Sequence, residues 1–272
     1  YSYPAHTFFI ITSYRQVKIR FLEDNMKKII LVMLLITSLV SLAASGANEH
    51  EAKAVQTYTF GGSTTVAPIA NAALTAFLAD RPHVKITYET LGSSTGIKQL
   101  QEGTLSLAGS SRELKSSELE AGLKPIVIAL DGLSVAVNSN VPIANLSMHQ
   151  LSQIFAGEIT NWKEVGGNDA KIEVIVRDET SGTYASFKEI VLDPLKKSYT
   201  LKAIVARENG ELATKISSTP NSIGYIGMAF NHIVEESGGH VLMIDSVIPS
   251  NENVINKSYP ISRSLYLVSV GE

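Results

Sequence analysis

Three glycine-flanked clusters of serine and threonine stand where extended runs give way to helical patterns, and this placement constrains the fold more than any other feature of the chain. Gly61-Gly62-Ser63-Thr64-Thr65 follows a β-type run over Val55–Phe60 and precedes a helical pattern over Val66–Ala79, whose Ile69, Ala73 and Phe77 share one face before Asp80-Arg81-Pro82 ends it. Gly92-Ser93-Ser94-Thr95-Gly96 joins a strand pattern over Val84–Thr90 to a helix running through Leu100. Asp178-Glu179-Thr180-Ser181-Gly182-Thr183 joins a strand over Ile172–Arg177 to a helix over Ser181–Val191. Further strands are predicted over Leu105–Gly109, Ile126–Leu130, Leu133–Asn138 and Ser222–Met228, with a short helix over Ser147–Phe155. Alternation of this kind predicts α/β architecture, with mostly parallel sheets flanked by helices.

Two breaks in the pattern mark expected lobe boundaries: Asp131-Gly132, between two apolar strands, and the glycines from Gly224 to Gly227. Two crossings imply a hinge, with lobe 1 over 48–131, lobe 2 over 132–227, and a return to lobe 1 over 228–272. A ligand cleft is then expected between the lobes, facing the strand ends.

Met26, Lys27 and Lys28 open a basic region, an apolar run follows over Ile29–Leu42, and Ala43-Ala44-Ser45-Gly46-Ala47 closes it. The run is shorter than the about 20 residues a membrane-spanning helix needs and ends in small residues, so 26–47 is expected to be a cleaved secretory signal peptide, with the cut before Asn48. Residues 1–25 precede the first sensible initiator and are expected to be a non-native upstream leader. The chain has no cysteine. A disulfide framework, thiolate chemistry and a lipid-modified cysteine are therefore excluded, and a soluble periplasmic protein is expected.

From Asn48 onward the chain carries 18 basic and 24 acidic residues. Nucleic acid is not an expected partner, and an anion would be weakly repelled at long range. An anion site must therefore rest on short-range hydrogen bonds and local dipoles. The three clusters supply these. A helix start exposes unpaired backbone N–H groups and about half a unit of positive charge; glycines allow close backbone approach and hydroxyls add donors. One such cluster alone reads as ordinary N-capping. Three, each with glycine beside it, point to an oxyanion. Arg177 ends its strand beside the third cluster and either presents a fork of donors to the anion or pairs with Asp178 or Glu179 on the surface. Ser110-Ser111-Arg112 forms a fourth polar loop with the same two readings.

Other classes fit less well. Gly92-Ser93-Ser94-Thr95-Gly96 matches G-x-S-x-G, which would make Ser94 the nucleophile of a serine hydrolase, yet no oxyanion loop or recognisable histidine motif accompanies it. No G-x-x-x-x-G-K-[ST] loop follows a strand, so a nucleotide-binding enzyme is disfavoured. The six histidines show no ligand spacing, and neither a metal nor a cofactor is expected.

GGSTTVAP at 61–68, GSSTGIKQL at 92–100, AGSSREL at 108–114, IFAGEITNWKEVGG at 154–167, RDETSGTYASF at 177–187 and YPISR at 259–263 resemble the phosphate-binding proteins of the high-affinity phosphate ABC importer. The resemblance spans 57–268 and implies a two-lobed periplasmic-binding-protein fold that closes on inorganic phosphate, delivers it to a membrane permease and does no chemistry on it. It further implies that Thr64 and the backbone at Thr65, Ser93, Ser111, Arg177, Ser181, Gly182 and Thr183 contact phosphate, with Ser63, Ser94 and Arg112 as further candidates and Glu179 steadying the arginine. A monomer is expected. Ser111 stands where some relatives carry aspartate and Ser106 where many do, which leaves the selectivity mechanism and one structural contact open, and Ser264 replaces a common proline. A binding protein for another oxyanion, such as sulfate, molybdate or a phosphonate, is the alternative reading. The chain stops at Glu272, where the resemblance implies a further C-terminal helix, so a truncated C-terminus is expected. Trp162 is expected to pack in the core.

Overall fold

The computed structural model describes residues 54–271, so the expected leader, the signal peptide and its cleavage site lie outside the described residues. Among the described residues run strands β1 (Gln56–Gly62), β2 (Val84–Thr90), β3 (Leu107–Ser110), β4 (Leu123–Val137), β5 (Asn145–Leu146), β6 (Glu173–Arg177), β7 (Ile204–Ala206), β8 (Ser222–Gly227), β9 (His240–Val241), β10 (Met243–Ile244) and β11 (Ser262–Val270). Between them lie helices α1 (Ala67–Leu78), α2 (Ser93–Gln101), α3 (Ser116–Glu120), α4 (Met148–Ala156), α5 (Gly182–Phe187), α6 (Asn209–Ser218), α7 (Asn231–Glu236) and α8 (Asn251–Ile255). None of the described helices is long and apolar enough to cross a membrane.

The chain divides into two compact units. Of the described residues, the smaller takes 54–57 together with Ile69–Ile86. In it Arg81 caps the end of α1: its guanidinium carbon lies 4.3 Å from the Phe77 ring centroid and Nη1 donates to the Phe77 carbonyl at 2.6 Å.

The larger unit, Tyr58–Pro68 and Thr87–Glu272, holds every predicted site residue. Its main sheet takes the parts of β1 and β2 that lie in this unit and runs β2-β1-β3-β11-β4-β8-β6-β7, with β9 paired to β4 off this path. Strand directions are mixed rather than mostly parallel. β1 pairs with β3, and β6 with β7 and β8, in parallel; β11 runs antiparallel to β3 and β4, and β4 antiparallel to β8. Local patterning does not encode strand direction, which depends on how each connection returns.

β4 corrects a second expectation. The two predicted strands on either side of Asp131-Gly132 are one continuous strand, because both apolar runs are strand-formers and a glycine between them tolerates extended backbone. What changes at this dipeptide is the partner. Leu123–Gly132 pairs with β11, and Leu133–Val137 pairs with β8 as far as Gly227. The sheet is therefore two half-sheets sharing one through-strand: β1, β2, β3 and β11 on the first half of β4, and β6, β7, β8 and β9 on the second.

The second half-sheet packs Leu133, Val135, Val137, Leu151, Phe155, Trp162, Phe187 and Tyr225 into one core. Trp162 is buried there, its Nε1 donating to the Asn221 carbonyl at 2.9 Å. β8 is buried along its whole length, as a strand covered on both faces must be. The helix predicted over Ser181–Val191 is α-helical only through Phe187 and widens to a π-helical turn over Lys188–Leu192. Pro194 follows that turn and cannot extend the hydrogen-bond ladder.

Candidate oxyanion-binding site

Arg177 ends β6 and is 1% exposed. Its backbone N–H reaches the Tyr225 hydroxyl at 3.3 Å, and Nη2 donates to the Arg207 carbonyl at 2.5 Å and to Thr64 Oγ1 at 3.3 Å. Nε and Nη1 are buried without a hydrogen-bond partner. Among the described residues no carboxylate lies within ion-pair distance of this guanidinium, so the alternative of a surface pair with Asp178 or Glu179 is not realised. Burial draws its pKa down from the ordinary arginine value, while the fields of Asp178, Tyr225 and Glu208 oppose that shift. An arginine keeps its proton in such a setting, so a buried positive charge faces this site with two N–H groups unused.

The hydroxyls around it arrive from separate elements. Ser181 is the N-cap of α5, and its Oγ accepts the N–H groups of Thr183 at 3.1 Å and Tyr184 at 3.3 Å. Ser63 does the same for the turn into α1, accepting from Thr65 at 3.1 Å and Val66 at 3.3 Å. The Thr65 backbone N–H, expected to point at the ligand, is therefore engaged by Ser63. Ser93 opens α2 behind Gly92, whose φ of 82° suits glycine. Its Oγ accepts the Ser111 N–H at 3.1 Å and lies 3.3 Å from Ser111 Oγ. The start of α5 packs directly on this serine pair: a Cβ at Gly182 would fall 2.2 Å from Ser93 Oγ and 2.5 Å from Ser111 Oγ. Thr65 Oγ1 and Thr183 Oγ1 meet at 3.2 Å, bringing the first and third clusters together. Thr65, Ser93, Ser111, Ser181 and Thr183 are all buried.

Three residues outside the predicted set hold these groups in place. Arg263 on β11 makes two bonds from Nε and Nη2 to Asp131 Oδ2, at 3.0 and 2.8 Å. Its Nη1 donates to the Ser111 carbonyl and to Thr183 Oγ1, both at 3.0 Å, and its Nη2 reaches Thr65 Oγ1 at 3.4 Å. Asn209, at the start of α6, donates from Nδ2 to Thr65 Oγ1 at 3.1 Å and to Thr64 Oγ1 at 3.4 Å. Desolvation pushes the Asp131 carboxyl up from its ordinary value, against the pull of Arg263 and of the backbone N–H groups of Met228 and Gly132.

The remaining candidates sit to one side. Arg112 is held by Glu118 in a two-pronged ion pair, Nη2 to Oε1 at 2.7 Å and Nη1 to Oε2 at 2.9 Å, and touches Ser94 Oγ only at 3.5 Å. Glu179 is exposed and is not among the partners of Arg177; the carboxylates whose fields reach that arginine belong to Asp178 and Glu208. Ser94, Arg112 and Glu179 line an open pocket with Lys115, Tyr184 and Lys188.

Comparison with known proteins accords with this geometry. The profile of the PBP superfamily domain matches residues 47–272. The phosphate-binding protein PstS of Borreliella burgdorferi is 37% identical over 249 residues, covering 90% of this chain and 88% of that protein. PstS of Bacillus subtilis is 30% identical over 260 residues, covering 90% and 85%. The chain belongs to the phosphate-binding proteins of the PBP superfamily. Among solved structures, a protein of Clostridium perfringens described as a phosphate ABC transporter substrate-binding protein with bound phosphate superposes with a TM-score of 0.73 at 36% identity, over 79% of this chain and 86% of its own. An ABC-type phosphate transport receptor of Vibrio cholerae gives 0.66 at 30% identity, over 79% and 87%. The fold is the two-lobed α/β fold of these binding proteins.

Within this phosphate-binding-protein family, sequence reading missed Asp131 and Asn209 as site residues and assigned no role to Arg263. Arg263 was visible inside YPISR and Asp131 at the expected boundary, yet neither motif says what its side chain touches. Asn209 lies in an unremarkable polar stretch, and no sequence signal marks it.

Proposed function

We propose that this chain binds inorganic phosphate outside the cytoplasm and delivers it to the permease of an ABC importer; it is a binding protein, not an enzyme. The observation that carries this reading is Arg177: buried, without a carboxylate partner, with two N–H groups unpartnered beside helix starts rich in hydroxyls. A buried charge of this kind is costly unless a counter-charge meets it, and a tetrahedral oxyanion supplies both charge and acceptors.

In this reading Thr64, Thr65, Ser93 and Ser111 bind the anion from the first lobe, and Arg177, Ser181, Gly182 and Thr183 from the second. The lobes comprise 48–131 with 228–272, and 132–227; the exchange of β4 partners after Gly132 supports the first boundary. Binding is hinge closure about that through-strand. The protein acts as a periplasmic monomer exported by the 26–47 signal peptide, without nucleic-acid, metal or cofactor partners.

Calorimetric titration with phosphate tests the reading. Saturable one-to-one binding is expected, and no heat with phosphate, sulfate or molybdate would overturn it. Sulfate is the second reading worth testing, because Ser111 carries a hydroxyl where an aspartate would reject an unprotonated anion.

A further inference from the structure

The hydroxyls of this site do not have free polarity. A hydroxyl has one hydrogen and two lone pairs, so once two donors occupy the lone pairs it can only donate. Thr64 Oγ1 receives Arg177 Nη2 at 3.3 Å and Asn209 Nδ2 at 3.4 Å. Thr65 Oγ1 receives Asn209 Nδ2 at 3.1 Å and Arg263 Nη2 at 3.4 Å. With its lone pairs filled, Thr65 must donate across the 3.2 Å contact to Thr183 Oγ1, which already receives Arg263 Nη1 at 3.0 Å. Thr183 is then filled in turn, and its hydrogen points elsewhere. The orientation of the Asn209 amide is itself fixed, since its Oδ1 accepts the Gly227 N–H at 3.5 Å.

We propose that Asn209 and Arg263 are positioning residues that lock the hydroxyls of Thr64 and Thr183 as donors, so that the site selects a doubly charged tetrahedral oxyanion by its acceptor capacity. This deepens the phosphate reading and rests on it. Arg177 adds its two free N–H groups to this donor set. The Asp131 carboxylate is committed to Arg263. The pair that keeps free polarity is Ser93 and Ser111, whose hydroxyls face each other at 3.3 Å with either able to donate. One proton on the ligand is therefore accommodated there. The second proton of singly charged phosphate would face a fixed donor, whereas sulfate, with no proton, is accepted when the serine pair turns.

The test is calorimetric titration of the purified protein with phosphate and with sulfate across the pH range in which free phosphate loses its second proton. Wild-type phosphate affinity is expected to fall about tenfold for each pH unit on the acid side of that transition, following the doubly charged fraction. Sulfate stays doubly charged, so its affinity should remain flat. It also reports any titration within the protein, including that of Asp131, Asp178, Glu208 or Tyr225, the ionisable groups that face Arg177 and Arg263.

Asn209→Leu removes the donors to Thr64 and Thr65 without adding charge. It should flatten the phosphate slope well below tenfold per unit and weaken sulfate about tenfold. Arg263→Lys keeps the charge against Asp131 but loses the fork to Thr65 and Thr183, and should flatten the slope in the same direction. A purely structural role would lower both affinities equally at every pH. A flat phosphate profile in the wild type, or a wild-type slope in both folded variants, overturns the proposal. Absence of any phosphate binding to the wild type would instead refute the functional reading, and this inference with it.

Discussion

Replacing Arg177 with methionine separates binding from stability. The side chain is 1% exposed, keeps Nη2 on the Arg207 carbonyl and Thr64 Oγ1, and leaves Nε and Nη1 without partners. Each of those two groups can give a charge-assisted hydrogen bond worth about 1.5 to 3 kcal/mol to a bound anion. Losing both weakens phosphate binding by about 3 to 6 kcal/mol, or roughly two to four orders of magnitude in Kd. The same change removes an uncompensated buried charge from the ligand-free protein and fills its space with apolar atoms. Replacing buried ionic groups with apolar side chains of similar volume is often neutral or stabilising by about 1 to 4 kcal/mol. The ligand-free Arg177→Met protein should therefore melt at or above the wild-type temperature, by about 2 to 4 °C for each kcal/mol gained. Thermal melts with and without phosphate, paired with calorimetric titration, measure both effects. The wild type should gain stability on adding phosphate and Arg177→Met should not. A variant that melts well below the wild type yet retains its affinity would refute the reasoning, because Arg177 would then be a structural residue.

Gly182→Ala places a methyl 2.2 Å from Ser93 Oγ and 2.5 Å from Ser111 Oγ, so phosphate affinity should fall at least about tenfold as the two sides are held apart; an unchanged isotherm would show that α5 does not close on this serine pair. Burial alone would raise the Glu118 carboxyl, but its bonds to Arg112 and to the Lys115 N–H hold it below its ordinary value. A depressed carboxylate contributes stability above its unfolded pKa that is lost as pH falls through the folded one. Glu118→Gln should therefore cost stability at neutral pH, and urea unfolding should show the difference from wild type shrinking under acid conditions. Ser111→Asp, which adds an acceptor that cannot donate, should sharpen discrimination against sulfate by about tenfold or more; an unchanged phosphate-to-sulfate ratio in competition titrations would remove Ser111 from selectivity.

What was legible in the sequence was local. β2 spans Val84–Thr90, the bounds predicted for it, and the helices begin within a residue or two of their serine and threonine clusters. These features depend on groups close in sequence: Ser181 caps hydrogens two and three residues ahead of it, and Ser63 does the same. The sequence by itself therefore determined that three helix starts would carry hydroxyls and that a cation would stand beside one of them. It did not determine which carbonyls, hydroxyls or carboxylates those groups would meet. Arg177 stood beside two acidic residues and pairs with neither, because the turn after β6 leaves Glu179 exposed while the guanidinium runs inward to Thr64, 113 positions away. Arg263 finds Asp131 at a separation of 132 residues and Thr65 at 198. The continuity of β4 through Gly132 was likewise settled by β11 and β8 taking it up in succession. Capping and periodicity are set within one or two turns of chain, whereas the polarity of the site hydroxyls depends on which distant donors the folded sheet brings to each lone pair, and that only the tertiary structure decided.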